Sequence, residues 1–273
     1  MNKQQSIAIL GCGWLGIPLA ESLIAKGFSV KGSTTSSAKI DWFSQKKIIP
    51  FQLILNENKI EGEIDTFLKN TDVLIITVPP KAKEPTSDTF PAKLAFLLPY
   101  IEKSTVEKVL FISSISVYPD VVSYNNKVTE GYVFESSEME SNVLLQSEQL
   151  LLNNSYFKTT VLRFGGLVGL DRHPINYLAG KTNLENPEAP INLIHLEDCI
   201  GAIEKILSEN CWGEVFNAVA PIHPNRENYY QQKAKEMQLP LPIFTHEKPS
   251  VGKTISSEKL IQKLHYTFSK TDF

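Results

Sequence analysis

Three glycines near the start of the chain have the spacing of a phosphate-binding turn. Gly11, Gly13 and Gly16 stand in the sequence Gly-Cys-Gly-Trp-Leu-Gly, or G-x-G-x-x-G, directly after the apolar run 7–10. Apolar residues then recur at helical spacing up to Gly27, which predicts a strand, a turn and a helix in that order. In such a turn the first glycine permits a tight bend, the second lets a diphosphate approach the backbone, and the third lets helix and strand pack closely. Because a helix start offers unpaired N–H groups and partial positive charge, the segment predicts a dinucleotide site.

The loop after the second predicted strand bears on which dinucleotide is bound. An acidic residue about 20 residues after the glycines commonly binds the ribose 2′-hydroxyl of NAD. Residues 31–39 read Lys-Gly-Ser-Thr-Thr-Ser-Ser-Ala-Lys and contain no Asp or Glu. The hydroxyls of Ser33, Thr34 and Ser36 can donate hydrogen bonds to a 2′-phosphate, and Lys39 can add positive charge. We therefore expect NADP to be preferred, with NAD as the alternative.

The elements that must position these residues follow from the alternation of apolar runs with helical patterns. Strands are predicted at 28–30, 51–55, 73–78, 109–114, 160–164, 192–195 and 215–217, and helices at 90–101, 137–152 and 199–207. Strands that are apolar on both faces and alternate with helices indicate an α/β Rossmann fold with a doubly wound parallel sheet. We predict a dinucleotide-binding Rossmann domain at 1–165 and a smaller substrate lobe at 166–273, from which 192–217 return to the Rossmann core.

Composition excludes several classes of protein. Of the 273 residues 42% are hydrophobic and 21% charged, which excludes disorder and coiled coil. The net charge of −3 implies no basic face, so neither nucleic acid nor membrane is expected as a partner. Cys12, Cys199 and Cys211 are too scattered for a disulfide framework or a metal site. With no targeting or membrane-spanning segment recognised, we expect a cytoplasmic protein.

Several segments together resemble a known family. Residues 113–118 (Ser-Ser-Ile-Ser-Val-Tyr), 162–169 (Leu-Arg-Phe-Gly-Gly-Leu-Val-Gly) and 192–198 (Asn-Leu-Ile-His-Leu-Glu-Asp) resemble the S-S-x-S-V-Y, R-x-x-x-x-x-G and I-H-x-x-D segments of extended short-chain dehydrogenases/reductases, the NAD(P)-dependent epimerase/dehydratase group. The glycine turn and the pair Gly180-Lys181 are similar to the YeeZ-like branch. The resemblance implies an oxidoreductase or epimerase acting on a small polar substrate, such as a nucleoside-diphosphate sugar. It also implies a homodimer through the helices at 90–101 and 137–152.

The turn and the resemblance together nominate site residues. Ser114 aligns with the catalytic Ser or Thr that binds the substrate oxygen. The cofactor-binding candidates are Gly11, Gly13, Trp14, Leu15, Gly16, Ser33, Thr34, Ser36, Thr77, Val78, Pro79, Ser113, Phe164 and Gly165. Ser116 and Asn192 are substrate candidates from the matched segments. By residue type, His173 can contact a substrate phosphate and Arg226 can clamp an anionic group, with a solvated loop and a surface helix start as the alternatives.

The chain departs from the family at its defining Y-x-x-x-K pair, in which the tyrosine moves a proton and the lysine lowers its pKa. Residues 138–148, on the corresponding helix, include neither tyrosine nor lysine. Tyr124 and Lys127 precede that helix and do not substitute for the pair.

Three explanations of this departure stay open. Glu140 or Glu138 can act as the base, with its pKa raised by a dry environment and with Ser114 as hydrogen-bond donor. Alternatively, His195 or water handles the proton while hydride transfer proceeds on the cofactor. The third explanation is a catalytically degenerate protein that binds NADP as a sensor or scaffold.

Overall fold

Residues 5–79, 89–121, 127–169 and 171–272 are described in this computed structural model of the chain. The chain divides into two units of three segments each. Unit 1 is residues 1–113, 134–162 and 206–215, and unit 2 is residues 114–133, 163–205 and 216–273. None of the helices within the described ranges is both long enough and apolar enough to span a membrane.

Strands and helices alternate through most of the chain. The strands are β1 (Ser6–Leu10), β2 (Ser29–Thr34), β3 (Ile49–Gln52), β4 (Ile54–Leu55), β5 (Ile60–Glu61), β6 (Val73–Ile76), β7 (Lys108–Ser114), β8 (Lys127–Val128), β9 (Lys158–Phe164), β10 (Gly166–Val168), β11 (Leu193–His195), β12 (Val215–Ala218) and β13 (Thr254–Ile255). The helices are α1 (Gly16–Ala25), α2 (Ile40–Gln45), α3 (Ile64–Leu68), α4 (Phe90–Glu102), α5 (Ser136–Ser141), α6 (Val143–Leu152), α7 (Ile175–Leu178), α8 (Leu196–Ser208), α9 (Arg226–Glu236) and α10 (Glu258–Leu264).

The main sheet confirms the predicted doubly wound Rossmann architecture. Its strand order is β12-β9-β7-β6-β1-β2-β3, and β1 pairs in parallel with both β2 and β6. Ile7, Ala8 and Ile9 are fully buried, as expected for a central strand covered by helices on both faces. The chain winds outward from β1 in both directions, to β2 and β3 on one side and to β6 and β7 on the other. A crevice is therefore expected at the carboxyl ends of β1 and β6, where doubly wound sheets bind ligands.

The predicted long helix at 137–152 is wrong, because the chain forms α5 and α6 with a break at Asn142 between them. Asn142 is extended, and its side-chain Oδ1 accepts hydrogen bonds from the backbone N–H groups of Leu144 and Leu145, at 3.0 and 3.2 Å. These bonds cap the start of α6, so a local side-chain bond interrupts the helix that the apolar spacing predicts.

The predicted strand at 51–55 is also divided. It becomes the end of β3 and the short β4, which pairs antiparallel with β5. The connecting turn is closed by the backbone N–H of Asn56, which donates to the carbonyl oxygen of Lys59 at 2.9 Å. The apolar pattern did not predict this β4–β5 hairpin.

Unit 2 has its own core and two small parallel strand pairs, β10 with β11 and β13 with β8. Its buried cluster is Val168, Ile175, Ile191, Leu193, Tyr230, Ala234 and Phe244. Asp198, the aspartate of the I-H-x-x-D segment, is fully buried on α8. Its carboxylate accepts hydrogen bonds from the Tyr266 hydroxyl at 2.9 Å and from the backbone N–H of Ser269 at 2.7 Å. That aspartate therefore fastens the C-terminal residues to α8.

Candidate functional site

The glycine turn of unit 1 joins β1 to α1, and two of its glycines are required by close packing. Gly11 has a φ of +104°, which disfavours any residue with a side chain, and an added Cβ would lie 2.6 Å from Cγ1 of Val78. At Gly16 an added Cβ would lie 2.7 Å from the carbonyl oxygen of Gly11. The start of α1 therefore packs directly onto the end of β1.

Gly13 differs from the other two glycines of the turn, because its requirement is not packing. It is exposed, and an added Cβ would meet no described heavy atom within 4 Å. The space beside its backbone, at the N-terminal end of α1, is open to a ligand. Helix N–H groups and partial positive charge favour an anion there, so the arrangement fits a diphosphate.

Two hydroxyl groups hold the glycine turn from opposite sides. The Oγ of Ser33, at the end of β2, accepts a hydrogen bond from the backbone N–H of Gly11 at 2.9 Å. The Oγ1 of Thr77, just after β6, donates to the carbonyl oxygen of Gly11 at 2.6 Å. Both residues are candidates for cofactor contact, and the structure gives their hydroxyls a role in fixing the turn. Residues at the ends of β2 and β6 therefore fasten the peptide that follows β1.

The other side chains of the turn pack into unit 1. Cys12 is buried, and an added Cβ at Gly32 would lie 2.8 Å from its Sγ, so the thiol fills space against β2. Burial raises the pKa of the Cys12 thiol to about 12, although the charge of Lys39 opposes the rise. Leu15 is also buried, whereas Trp14 is partly exposed. The thiol is therefore protonated near neutral pH and acts as a small apolar filler.

A pocket of about 570 Å³ lies at the carboxyl ends of β1, β2 and β6, where the strand order predicts a crevice. Its apolar walls include Leu53, Ile54, Val78, Pro79 and Phe90. An apolar slot of this kind suits a flat aromatic ring such as a nucleobase.

The polar lining of the same pocket comes from the end of β2, from the β4–β5 hairpin and from α4. It includes Ser33, Thr34, Thr35, Asn56 and Asn58, together with the charged Glu57, Lys59 and Lys93. Thr34 is buried, and its Oγ1 accepts a hydrogen bond from the backbone N–H of Ser36 at 3.2 Å, whereas the adjacent Thr35 is exposed.

The sequence suggested Ser36 and Lys39 as contacts for a 2′-phosphate, but neither is among the described residues that line the pocket. Conversely, sequence reasoning missed Thr35, Lys59 and Lys93. Thr35 could have been found, because it lies between two nominated residues. Neither lysine belongs to a recognised motif. The hairpin and the helix that bring them to the pocket are also far from the glycine turn in sequence.

The remaining candidates of unit 1 lie at β7 and at α5. Ser113 is buried and donates its hydroxyl proton to Oε1 of the fully buried Glu148 at 2.5 Å. Glu138 forms a capping box with Glu135 at the start of α5. Glu140 is exposed to solvent, so the dry environment expected around its carboxylate is absent from this structure.

In unit 2, Ser114 begins a short 3₁₀ turn, and its Oγ accepts a hydrogen bond from the backbone N–H of the exposed Ser116 at 3.1 Å. Tyr118, at the end of the same motif, is buried. Its hydroxyl accepts a hydrogen bond from Nη1 of Arg163 at 2.6 Å and donates to Oδ1 of Asn217 at 2.9 Å. Desolvation raises the pKa of Tyr118, although Arg163 opposes the rise. The motif tyrosine therefore belongs to the interior of unit 2 and holds the Ser114 turn. Tyr124 lies outside the described residues.

Asn192 precedes strand β11, and His195 is the last residue of that strand. The side-chain amide of Asn192 donates to the carbonyl oxygen of Lys253 at 2.7 Å and accepts from the N–H of Ile255 at 3.0 Å, which fastens β13. The Nδ1 of His195 accepts from the backbone N–H of Glu197 at 3.2 Å, so Nε2 carries the proton of the neutral ring. His195 is partly exposed at the start of α8. Nε2 of His195 has no hydrogen-bond partner among the described residues, whereas both the oxygen and the nitrogen of the Asn192 amide have one.

Phe164 is the last residue of β9, and Gly165 follows it in unit 2. Phe164 is buried, and the backbone N–H of Gly165 donates to the carbonyl oxygen of Ala218 at 3.1 Å. An added Cβ at Gly165 would lie 2.7 Å from the carbonyl oxygen of Asn192. The glycine therefore permits close approach of two backbone segments at the end of the strand.

His173 and Arg226 are both held by neighbours in unit 2. The Nε2 of His173 lies 2.9 Å from the Tyr229 hydroxyl, and its Nδ1 accepts from the N–H of Ile175 at 3.1 Å. Burial lowers the pKa of His173 to about 4. Arg226 donates to the carbonyl oxygen of Glu185, and its guanidinium lies 5.5 Å from the Phe244 ring centroid. Both side chains contribute to the structure of unit 2.

In the parts of the chain that the structure describes, no three His, Cys, Asp or Glu side chains converge on a point that could hold a metal ion.

Comparison with known proteins places this geometry in context. The chain is 32% identical to Protein YeeZ of Escherichia coli K12 over 271 residues, which covers 98% of this chain and 97% of that protein. Protein YeeZ of Escherichia coli O157:H7 matches to the same extent. No protein-family model matches the chain.

Solved structures share the fold at much lower identity. A variant of UDP-glucuronic acid 4-epimerase from Bacillus cereus, in complex with UDP-4-deoxy-4-fluoro-glucuronic acid and NAD, matches with a TM-score of 0.77 and 17% identity, covering 98% of this chain and 95% of that one. A short-chain dehydrogenase/reductase superfamily protein from Agrobacterium tumefaciens with bound NAD matches with a TM-score of 0.74 and 16% identity, covering 98% and 93%. MoeE5 in complex with UDP-glucose and NAD matches with a TM-score of 0.76 and 17% identity, covering 98% and 94%.

Proposed function

Because the chain belongs to the YeeZ family and has the fold of the short-chain dehydrogenases/reductases, we propose that it binds a nicotinamide dinucleotide in unit 1. The observation that carries this proposal is the open space beside the exposed backbone of Gly13, at the start of α1. A diphosphate placed there would accept hydrogen bonds from the first turn of the helix and interact with its partial positive charge. The adjacent pocket of about 570 Å³ would take the adenosine half of the same ligand.

Different residues of unit 1 would bind different parts of the dinucleotide. Gly13 and the start of α1 would hold the diphosphate, while Leu53, Ile54, Val78 and Pro79 would enclose the adenine ring. Ser33 and Thr77 would act by holding the turn, as their hydrogen bonds to Gly11 indicate. Bound in this way, a nicotinamide dinucleotide supplies hydride transfer.

NADP is the dinucleotide that we propose to be preferred. No carboxylate lies in the sequence at the end of β2 or in the loop that follows, from 31 to 39. A carboxylate there would favour the ribose hydroxyls of NAD and repel a 2′-phosphate. Thr35 is exposed beside the pocket and can donate a hydrogen bond to that phosphate.

The proposed reaction is oxidation, reduction or epimerisation of a small polar substrate, such as a nucleoside-diphosphate sugar. Two of the structural neighbours are solved with UDP-sugars, which supports this substrate class. Ser114 would hold the substrate oxygen that gains or loses a proton. His195 or water would move the proton, since residues 138–148, which correspond to the family's segment with the tyrosine and lysine, include neither residue.

Turnover tests this proposal. The purified protein is incubated with each dinucleotide in its reduced or oxidised form and with sugar nucleotides and small carbonyl compounds. Net oxidation or reduction of the dinucleotide is followed by absorbance, and epimerisation, which leaves the dinucleotide unchanged, by chromatography of the sugar nucleotides. We expect turnover of at least one substrate, and its loss in Ser114→Ala with retention in Ser155→Ala as the control at an exposed serine outside the candidate site. Full activity of Ser114→Ala would remove the assigned role of that hydroxyl.

A second function is favoured by the sequence of the same helix. Without the tyrosine and lysine between 138 and 148, the protein can bind NADP as a sensor or scaffold and perform no chemistry. Tight dinucleotide binding together with no turnover of any substrate would support this alternative over the enzyme.

Two further properties belong to the proposal. We infer a homodimer through α4 and α6, which pack against each other in unit 1 and carry partly exposed apolar residues such as Phe96 and Leu150. A monomeric mass in sedimentation experiments would contradict the homodimer.

We also propose a cytoplasmic location, because Cys12, Cys199 and Cys211 are free thiols, which suits a reducing compartment.

A further inference from the structure

We propose that Lys59 and Lys93 form the subsite that binds the 2′-phosphate of NADP, an inference that rests on the proposed function. Lys59 lies at the end of the turn of the β4–β5 hairpin, and Lys93 lies in the first turn of α4. Both side chains line the pocket whose other walls are the end of β2 and the glycine turn. Two lysines from separate elements thus border the cavity proposed for the adenosine half of the ligand.

The position of the hairpin relative to β2 supports this assignment. The backbone N–H of Leu53, at the base of the hairpin, donates to the carbonyl oxygen of Thr34 at 3.0 Å. The hairpin is therefore joined to the end of the strand that holds the adenosine ribose in doubly wound dinucleotide-binding proteins. A phosphate on that ribose would face Thr35 and the lysine-bearing edge of the pocket.

Lys59 is available for a ligand because its present partner is a surface group. Its Nζ lies 2.7 Å from Oε1 of Glu61, and the two side chains are 63% and 48% exposed. Exposed ion pairs of this kind contribute little to stability, and an anion of higher charge can compete for the ammonium group. A bound phosphate would form a charge-assisted hydrogen bond with the Lys59 ammonium group, and breaking the exposed pair with Glu61 would cost little stability.

The charges that line the pocket also predict the sign of a second effect. Glu57 is exposed on the same hairpin turn and lines the same pocket. Its carboxylate would repel a 2′-phosphate, so neutralising it should strengthen NADP binding, whereas neutralising either lysine should weaken it. NAD lacks the phosphate, and its binding should change little in either case.

Lys39 is the rival candidate, because the β2 loop is where a cation for the 2′-phosphate is expected from sequence. It lies in the short 3₁₀ turn Ser37–Lys39, and it is not among the described residues that line the pocket. If Lys39 binds the 2′-phosphate instead, Lys39→Met should weaken NADP binding, whereas Lys59→Met and Lys93→Met should not.

The test is isothermal titration calorimetry of the full chain with NADP and with NAD. The variants are Lys59→Met, Lys93→Met, their double variant, Glu57→Gln and Lys39→Met. Lys46→Met is the matched control, because Lys46 also forms an exposed ion pair in unit 1, with Glu21 at 2.8 Å, yet it does not line the pocket. All the substituted side chains are at least partly exposed, so the variants should fold.

We expect the wild type to bind NADP more tightly than NAD. Each of Lys59→Met and Lys93→Met should lower NADP affinity about tenfold, the effect of one lost hydrogen bond to a charged group, with NAD affinity unchanged. Glu57→Gln should raise NADP affinity, and Lys46→Met and Lys39→Met should behave as the wild type. Added salt should weaken NADP binding more than NAD binding.

Three results would overturn the inference, and they are distinguishable from failure of the proposed function. An unchanged NADP affinity in the double lysine variant, or a loss confined to Lys39→Met, would place the phosphate elsewhere while dinucleotide binding stands. Tighter binding of NAD than of NADP by the wild type would overturn this inference together with the proposed NADP preference, while dinucleotide binding stands. Absence of binding of both dinucleotides would remove the proposed function and this inference together.

Discussion

Gly13 and Gly16 are separated by three positions, yet their replacement by alanine should have opposite consequences. At Gly13 an added Cβ meets no described heavy atom within 4 Å and enters the open space of the cleft. At Gly16 it would lie 2.7 Å from the carbonyl oxygen of Gly11, which is shorter than real Cβ contacts. Gly13→Ala therefore probes ligand space, and Gly16→Ala probes packing of the same turn.

The magnitudes follow from these contacts. Gly13→Ala should leave the free energy of unfolding within about 0.5 kcal/mol of the wild type, because the new methyl group meets no atom of the described residues within 4 Å. If that methyl group keeps a diphosphate from two backbone N–H groups, the loss is about 3 kcal/mol, or roughly 100-fold in dinucleotide affinity. Gly16→Ala should cost about 1–3 kcal/mol of stability, because backbone atoms must move.

Thermal unfolding and calorimetry measure the two effects separately. The Tm of Gly13→Ala should match that of the wild type, while its titration with NADP should show greatly weakened binding. The Tm of Gly16→Ala should fall by several degrees, as expected for about 2 °C or more per kcal/mol at this chain length. Undiminished NADP affinity in a folded Gly13→Ala protein would refute the assignment of the open space to the diphosphate.

Four other side chains give separate predictions. The pKa of His173 in the folded state is about 4, below the usual 6.5. The stability that this difference contributes is present above pH 6.5 and should be lost as the pH falls toward 4, by at most about 3 kcal/mol. In urea unfolding, His173→Gln should therefore show a flatter dependence of stability on pH. Lys31→Met should lower the free energy of urea unfolding by about 1–3 kcal/mol, because the Lys31 ammonium binds backbone carbonyls at the end of α3, while Lys46→Met should not. Cys12, with a pKa near 12, should react with a thiol reagent at pH 8 at least about tenfold more slowly than free cysteine, and an equal rate would show that the thiol is not buried. Ser33→Ala should weaken dinucleotide binding in calorimetry by about fivefold, since the turn loses one hydrogen bond, and an unchanged affinity would mean that this clamp is dispensable.

The glycine turn was predictable because its geometry is local. The spacing of Gly11, Gly13 and Gly16 and the closing Gly27 specify a strand, a turn and a helix within one short segment, and β1 and α1 have those bounds within two residues. The break at Asn142 was missed because the apolar positions continue at helical spacing through it. Only the side-chain bonds that cap α6 reveal that the amide interrupts the backbone.

The pocket was only partly predictable, because its walls come from segments that are distant in sequence. Thr34, Val78 and Pro79 were nominated from the turn and the family resemblance, and they do line it. Lys59 was not nominated, because two-residue strands give no periodic signal and β4 was expected to be the end of a single strand at 51–55. For Ser33 and Thr77 the nominated contact with cofactor remains a prediction, and the clamp on Gly11 became visible only once hydrogen-bond partners could be assigned.

Dinucleotide binding by the unmodified chain tests the central claim most directly. Titration of the purified protein with NADP, followed by NAD, measures whether the cleft beside Gly13 accepts either coenzyme. The account predicts saturable binding of one dinucleotide per chain, with NADP the tighter ligand. Heat signals no larger than dilution for both coenzymes would contradict it.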